Sequence, residues 1–267
     1  MRAAVVFLTV NPFAETINFA NLISKETSFD VFIVADTKKK VYVGNSISLI
    51  QISDEECVKS GYTGSNINSE ATHIKKDTIA FDKMLYYFCE QGTAYDFVWV
   101  FEDDVFIPSV ETIKNLHDKY SQYDLITSNN NLKDDDLMDW HWKHIFNKVN
   151  LPEPYYYSMA CAVGLSRNMI NEIKKYVDAN KKLFYVEVML NTLAMQGDLI
   201  VCEPFELKSI VWMGKWEIDE FLLLPDNVFH PKKEISKHPK YRQDIEKAIY
   251  SNKKPKNNLP KFIKQLM

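Results

Sequence analysis

The run Phe97 to Ile107, FVWVFEDDVFI, sets three consecutive carboxylates inside an otherwise apolar, β-branched and aromatic stretch. Such a run is the pattern of a strand buried in a parallel sheet, and its polar break belongs at the carboxyl end. Val105 to Ile107 resume the apolar pattern ahead of Pro108, so Glu102, Asp103 and Asp104 fall at a break within the strand region. The competing account is helix capping, since Ser109 and Glu111 follow and negative charge suits a helix N-terminus. Carboxylates set beside a core need a counter-charge, most economically a divalent cation with a phosphorylated ligand.

The rest of the chain alternates strand-like and helical patterns, which predicts βαβ units and a mostly parallel sheet. Strands are expected at Ala3 to Val10, Phe29 to Ala35, Tyr123 to Thr127, Tyr155 to Leu165 and Leu199 to Cys202. Helices are expected at Ala14 to Ser24, Thr78 to Gln91, Val110 to Tyr120, Asn168 to Val177 and Glu187 to Gln196, while residues 37–75 read as weak strands joined by loops. At 267 residues and 46% hydrophobic content the chain can bury a full core, and no Pro/Gly/Ser-rich linker divides it.

Several classes are excluded. With seven glycines the chain has neither G-x-G-x-x-G nor a P-loop, which argues against dinucleotide oxidoreductases and P-loop NTPases. Cys57, Cys89, Cys161 and Cys202 are widely spaced and form no CxxC pair, which argues against a zinc site or a disulfide framework and favours a reducing, cytoplasmic setting. No segment approaches the ~20 apolar residues needed to span a bilayer. Net charge is −4, yet residues 231–267 carry 11 Lys/Arg against 3 Asp/Glu. That tail is either a solvated terminus or a contact for an anionic surface, a peripheral membrane included. A second acidic triplet, Asp134 to Asp136, reads as a solvated loop. No nucleic-acid partner is expected.

With these residues in view, the sequence resembles the GT-A glycosyltransferases, whose metal site is a D-x-D type motif at the end of a central strand. Here the motif stands as Glu102-Asp103-Asp104, similar to the Glu-Asp-Asp form of some inverting N-acetylglucosaminyltransferases. The resemblance implies an α/β/α sandwich around a mostly parallel sheet, with a catalytic domain over 1–233. Its nucleotide-binding half would be about 1–107, its acceptor half about 108–233, with a basic helical tail at 234–267. It implies that Asp104 binds the metal, Mn²⁺ or Mg²⁺, and that Glu102 and Asp103 contact the ribose or metal-bound waters. Lys83 in FDKMLYYF would face the donor phosphates, unless it is a surface lysine of an amphipathic helix.

The segment SMACAVGLSRNMI resembles the strand and Ser-Arg helix start beside the acceptor, although Ser166 is also a plain N-cap. FYVEVMLNTLAMQGDLIV resembles the region of the catalytic carboxylate, making Glu187 either the base or a helix-start residue favoured by the macrodipole. NVFHPKK offers His230 as a further metal ligand, with His238 as the alternative, and Lys232 beside it on the donor side. Asp36 would bond the base or ribose, or simply end a strand. Trp140, Trp142, Trp212 and Trp216 are sugar-stacking platforms or core. The implied reaction is transfer of a sugar from a nucleotide-diphosphate sugar to a glycan or glycoprotein acceptor, with inversion. Retaining transfer, metal-dependent phosphate hydrolysis and an inactive carbohydrate-binding protein are the alternatives.

Overall fold

The computed structural model describes residues 1–66, 78–133 and 151–251. Asp134 to Asp136, Trp140, Trp142 and the last part of the basic tail lie outside the described residues.

The strands are β1 (Ala3–Thr9), β2 (Asp30–Ala35), β3 (Ser48–Ile50), β4 (Phe97–Glu102), β5 (Leu125–Ile126), β6 (Asn131–Leu132), β7 (Tyr156–Tyr157), β8 (Ala162–Ser166) and β9 (Val201–Cys202). Seven form one sheet in the order β3-β2-β1-β4-β8-β5-β9, and β6 and β7 form a small second one. All neighbours in the large sheet are parallel except β8, which is antiparallel to both β4 and β5. The expected α/β/α layering on a mostly parallel sheet is therefore present.

Helices α1 (Ala14–Glu26) and α4 (Val110–Tyr120) cover one face, and α3 (Ala80–Tyr86), α5 (Arg167–Asn180) and α6 (Val186–Gln196) cover the other. The period-two alternation of each strand divides its side chains between two cores. Val5, Phe7, Phe97, Trp99 and Phe101 pack on Phe19, Ile23, Ile113 and Leu116, while Val6, Leu8, Val98 and Val100 pack on Phe81, Leu85, Phe88 and Met189. Gly164 in β8 lets the sheet close, because a Cβ there would stand 2.8 Å from the Phe97 ring and 3.1 Å from Trp99.

Three local departures from expectation have physical causes. Residues 155–165 are two short strands, because Ser158 turns the chain, its amide bonding the Glu187 carbonyl at 2.9 Å and its hydroxyl Asn191 at 2.7 Å. The acidic strand ends at Glu102; beyond it Val105 and Ile107 return to the core of Phe97, Trp99 and Phe101, while Phe106 enters a third cluster. A short helix α2 (Asp54–Lys59) lies within the stretch read as loops, started by Ser53, which accepts from the Glu56 amide. Two C-terminal helices, α7 (Ile218–Leu223) and α8 (His238–Tyr250), pack with Phe106, Trp216 and Phe229 in a third cluster through Phe221 and Ile245.

Candidate active site

β1 and β4 are adjacent parallel strands, so their carboxyl ends stand side by side at one edge of the sheet. Both strands end there in polar residues. The Thr9 hydroxyl donates to Asp103 Oδ2 at 2.6 Å, tying the ends together. The Glu102 amide donates to the Cys161 carbonyl at 2.9 Å, which brings the start of β8 against the acidic motif.

Beyond Asp104, Phe106 exchanges backbone bonds of 2.8 and 3.0 Å with Phe229, and the Lys232 amide donates to the Asp104 carbonyl at 2.7 Å. This pairing carries His230 to the acidic motif, its Nε2 standing 3.5 Å from Asp104 Oδ1. His230 Nδ1 lies 3.0 Å from the Val211 carbonyl, which can only accept, so Nδ1 carries the hydrogen and Nε2 presents its lone pair to Asp104. Burial lowers the pKa of His230, with the Asp104 carboxylate and the bond to Val211 opposing. Asp104 Oδ1 is buried and accepts no hydrogen bond. A buried carboxylate oxygen that lacks a hydrogen-bond donor thus faces an imidazole nitrogen, an arrangement a cation completes. Donor atoms on one ion with bonds of about 2.1 Å lie roughly 3–4 Å apart, which the observed spacing matches.

The neighbouring carboxylates agree with this. Burial, then the fields of Asp104, Glu187 and Asp103, pushes Glu102 up to about 7, the bond to Cys161 opposing. Asp103 is also raised by burial, against the Thr9 bond. Among the described residues no lysine or arginine pairs with Glu102, Asp103 or Asp104. A divalent ion held by Asp104 and His230 fits this chemistry, the hard oxygens suiting Mg²⁺ or Mn²⁺ and the imidazole leaning to Mn²⁺.

Glu187 opens α6 beside this cluster. Burial raises it to about 7, while the Tyr185 hydroxyl, donating at 2.7 Å, and the Ala160 amide pull the other way. Its field reaches both Glu102 and Cys161. Asp36 and Lys83 are brought together with each other rather than to the acidic motif. The Lys83 ammonium lies 2.7 Å from Asp36 and 2.8 Å from Asp54, at the floor of a pocket of about 570 Å³ also lined by Lys38, Lys39 and Gln51.

The other nominated residues serve the scaffold. Lys232 donates to the Trp216 carbonyl at 2.8 Å over the Tyr241 ring, with Glu234 at 3.4 Å. Its ammonium is thus occupied away from the motif. His238 is buried against Phe106, its Nε2 2.8 Å from the Lys232 carbonyl, so of the two histidines only His230 stands beside Asp104. Trp216 is core, whereas Trp212 is 63% exposed. Ser166 caps α5, and Arg167 donates to the carbonyls of Phe88, Gly92 and Tyr95, an internal role rather than one at an acceptor. Thr9, Tyr185 and Cys161 were not singled out by sequence, and all three touch the cluster or its carboxylates. Only the strand-end position of Thr9 could have signalled its role.

No protein-family model and no curated relative matches the chain. Among solved structures it is similar to the galactosyltransferase LgtC in complex with donor and acceptor sugar analogues, at 12% identity and TM-score 0.46, covering 99% of this chain and 100% of that one. An active-site mutant of LgtC gives 10% identity and TM-score 0.42, again covering 99% and 100%. A putative nucleotide-diphospho-sugar transferase from Desulfovibrio desulfuricans G20 gives 10% and 0.34, covering 75% of this chain and 79% of that one. At such identities and scores the chemistry has to be read from this chain's own residues.

Proposed function

We propose that the protein is a metal-dependent glycosyltransferase that moves a sugar from a nucleotide-diphosphate donor to a glycan or glycoprotein acceptor with inversion. The observation that carries this reading is the Asp104–His230 pair, a buried carboxylate oxygen with no hydrogen-bond donor 3.5 Å from an imidazole nitrogen, just beyond the carboxyl end of β4. A bound Mn²⁺ or Mg²⁺ would supply electrostatic stabilisation of the diphosphate leaving group. Asp104 and His230 hold the ion, while Glu102 and Asp103 face the ribose or the waters around it. The pocket at Asp36 and Lys83 lies on the donor side, in the half before residue 108. The half after it supplies Glu187.

Glu187 acts as general base on the acceptor hydroxyl. A base works best with a pKa near the operating pH, and burial places Glu187 at about 7. The Tyr185 hydroxyl fixes one carboxylate oxygen, leaving the group oriented. Among the described residues no helix is long and apolar enough to cross a membrane.

The test is Glu187→Gln, which keeps shape and the bond from Tyr185 but cannot take a proton. Nucleotide-sugar affinity by calorimetry should stay near wild type, while product formation falls by about 10² to 10⁴. Normal turnover with a stability loss of about 1 kcal/mol or less would make Glu187 a helix-start residue only. The anomeric configuration of the product, read by NMR, then separates inverting from retaining transfer.

A further inference from the structure

Beside the acidic motif stands a second donor set, which shares His230 with the Asp104–His230 pair and adds Glu102 and Cys161. A carboxylate oxygen of Glu102, the Cys161 sulfur and a ring nitrogen of His230 all lie within 4.8 Å of one another. Cys161 and His230 are 6% and 7% exposed. Backbone geometry holds the first two in place, since the Glu102 amide bonds the Cys161 carbonyl. The bond from Nδ1 to Val211 leaves His230 Nε2 as the free ring nitrogen. All four cysteines are free thiols, so Cys161 is not consumed in a disulfide.

We propose that Glu102, Cys161 and His230 form a site for Zn²⁺ or another thiophilic ion, distinct in donor chemistry from the Asp104–His230 pair but sharing His230 with it. An O, S, N triad is a set of donors that zinc takes, and thiolate ligation selects it over Mn²⁺ and Mg²⁺. Tetrahedral zinc places such donors about 3.3–3.6 Å apart, so the triad, whose donor atoms lie within 4.8 Å of one another, needs a contraction of at most about 1.5 Å. Asp104 Oδ1, unpartnered and 3.5 Å from the shared nitrogen, is available as a fourth ligand. On binding, the sulfur–zinc bond forms as the thiol proton leaves to solvent, with no change of oxidation state. Because one imidazole nitrogen cannot serve two ions, zinc on the thiol set displaces the hard cation. The centre is therefore switched off by zinc. Zinc binding rests on the three donor atoms alone, and its effect on the centre rests on the metal-dependent reading above.

The test uses the purified full chain without donor or acceptor. Co²⁺ serves as the optical probe and should give a thiolate-to-cobalt charge-transfer band in the wild type that Zn²⁺ abolishes and Cys161→Ser lacks. Zn²⁺ affinity by calorimetry should fall at least about 10-fold in Cys161→Ser, while Mn²⁺ affinity, followed by electron paramagnetic resonance, changes less than about 3-fold. In the wild type, Zn²⁺ should release bound Mn²⁺ and slow alkylation of Cys161 as mapped by peptide mass spectrometry, a readout that needs no variant to fold. Equal zinc affinity in wild type and Cys161→Ser, no charge-transfer band, or alkylation of Cys161 unaffected by Zn²⁺ would each overturn the assignment. Transfer activity that fails to appear with any metal would count against the proposed function and leave these binding results standing.

Discussion

Replacing Lys83 by Met separates a structural lysine from a phosphate ligand. The Lys83 ammonium is 5% exposed and lies 2.7 Å from Asp36, itself 4% exposed, and 2.8 Å from Asp54, which is 42% exposed. Burial on its own would lower the pKa of Lys83, but the two carboxylates outweigh it and the pKa is raised, so the group is a fixed cation in the fold. Lys83→Met keeps the stem and removes the charge, leaving Asp36 buried without that ammonium. Breaking a buried pair from one side costs about 3–5 kcal/mol. Asp54 can be solvated and Asp36 keeps other contacts, so the lower end, about 3 kcal/mol, is expected. Against a total stability of about 5–15 kcal/mol this shifts the urea midpoint clearly without changing the slope. Adding Asp36→Asn should recover much of the loss, with a coupling of about 2 kcal/mol in the double-mutant cycle. A cost below about 1 kcal/mol, together with lost nucleotide binding, would refute this account and make Lys83 a donor ligand.

Two further outcomes follow from the same geometry. Asp104→Ala should remove the Mn²⁺-dependent part of nucleotide binding while metal-free stability holds or rises, because a repulsive charge beside Glu102 is lost. Thermal melts with and without Mn²⁺ check it, since the wild type should gain about 2.7 kcal/mol from a ligand at a hundred times its dissociation constant. His238 is held down to about 4, chiefly by burial, so it is neutral in the fold and its contribution is present above pH 6.5 and lost as pH falls toward 4. That window should cost the wild type about 3 kcal/mol more than His238→Gln, measured by denaturant titration at each pH.

The fold was readable where burial alone decides it. β1 and β4 are buried on both faces and read as apolar runs, and α4 starts and ends where Ser109 and Tyr120 suggested. Strand direction was not readable, because a period of two is the same in either sense, and so the antiparallel β8 emerged only from its pairing with β4 and β5. Helix α2 carried a Ser53–Glu56 capping signature, but six residues rich in charge give little apolar periodicity. The acidic motif was legible because charge in a core run is costly and therefore conspicuous. Cys161 was not, since a cysteine in an apolar strand reads as a small hydrophobe until the fold sets it beside Glu102 and His230.

The C-terminal third shows why ligand-type residues were over-nominated there. Trp216, Lys232 and His238 have the chemistry to bind a sugar, a phosphate or a metal, yet the three form one chain of bonds behind His230. Trp216 Nε1 donates to the His230 carbonyl at 2.9 Å, Lys232 donates to the Trp216 carbonyl at 2.8 Å, and His238 Nε2 bonds the Lys232 carbonyl at 2.8 Å. Phe106, Phe221 and Phe229 pack around them, with Phe106 two residues beyond Asp104. A ligand that must face a carboxylate at a fixed distance, with a fixed tautomer, needs support on its main chain as well as its ring. That support is polar and aromatic because it has to satisfy buried carbonyls in a crowded corner, and from sequence alone such residues look the same as the site they hold in place.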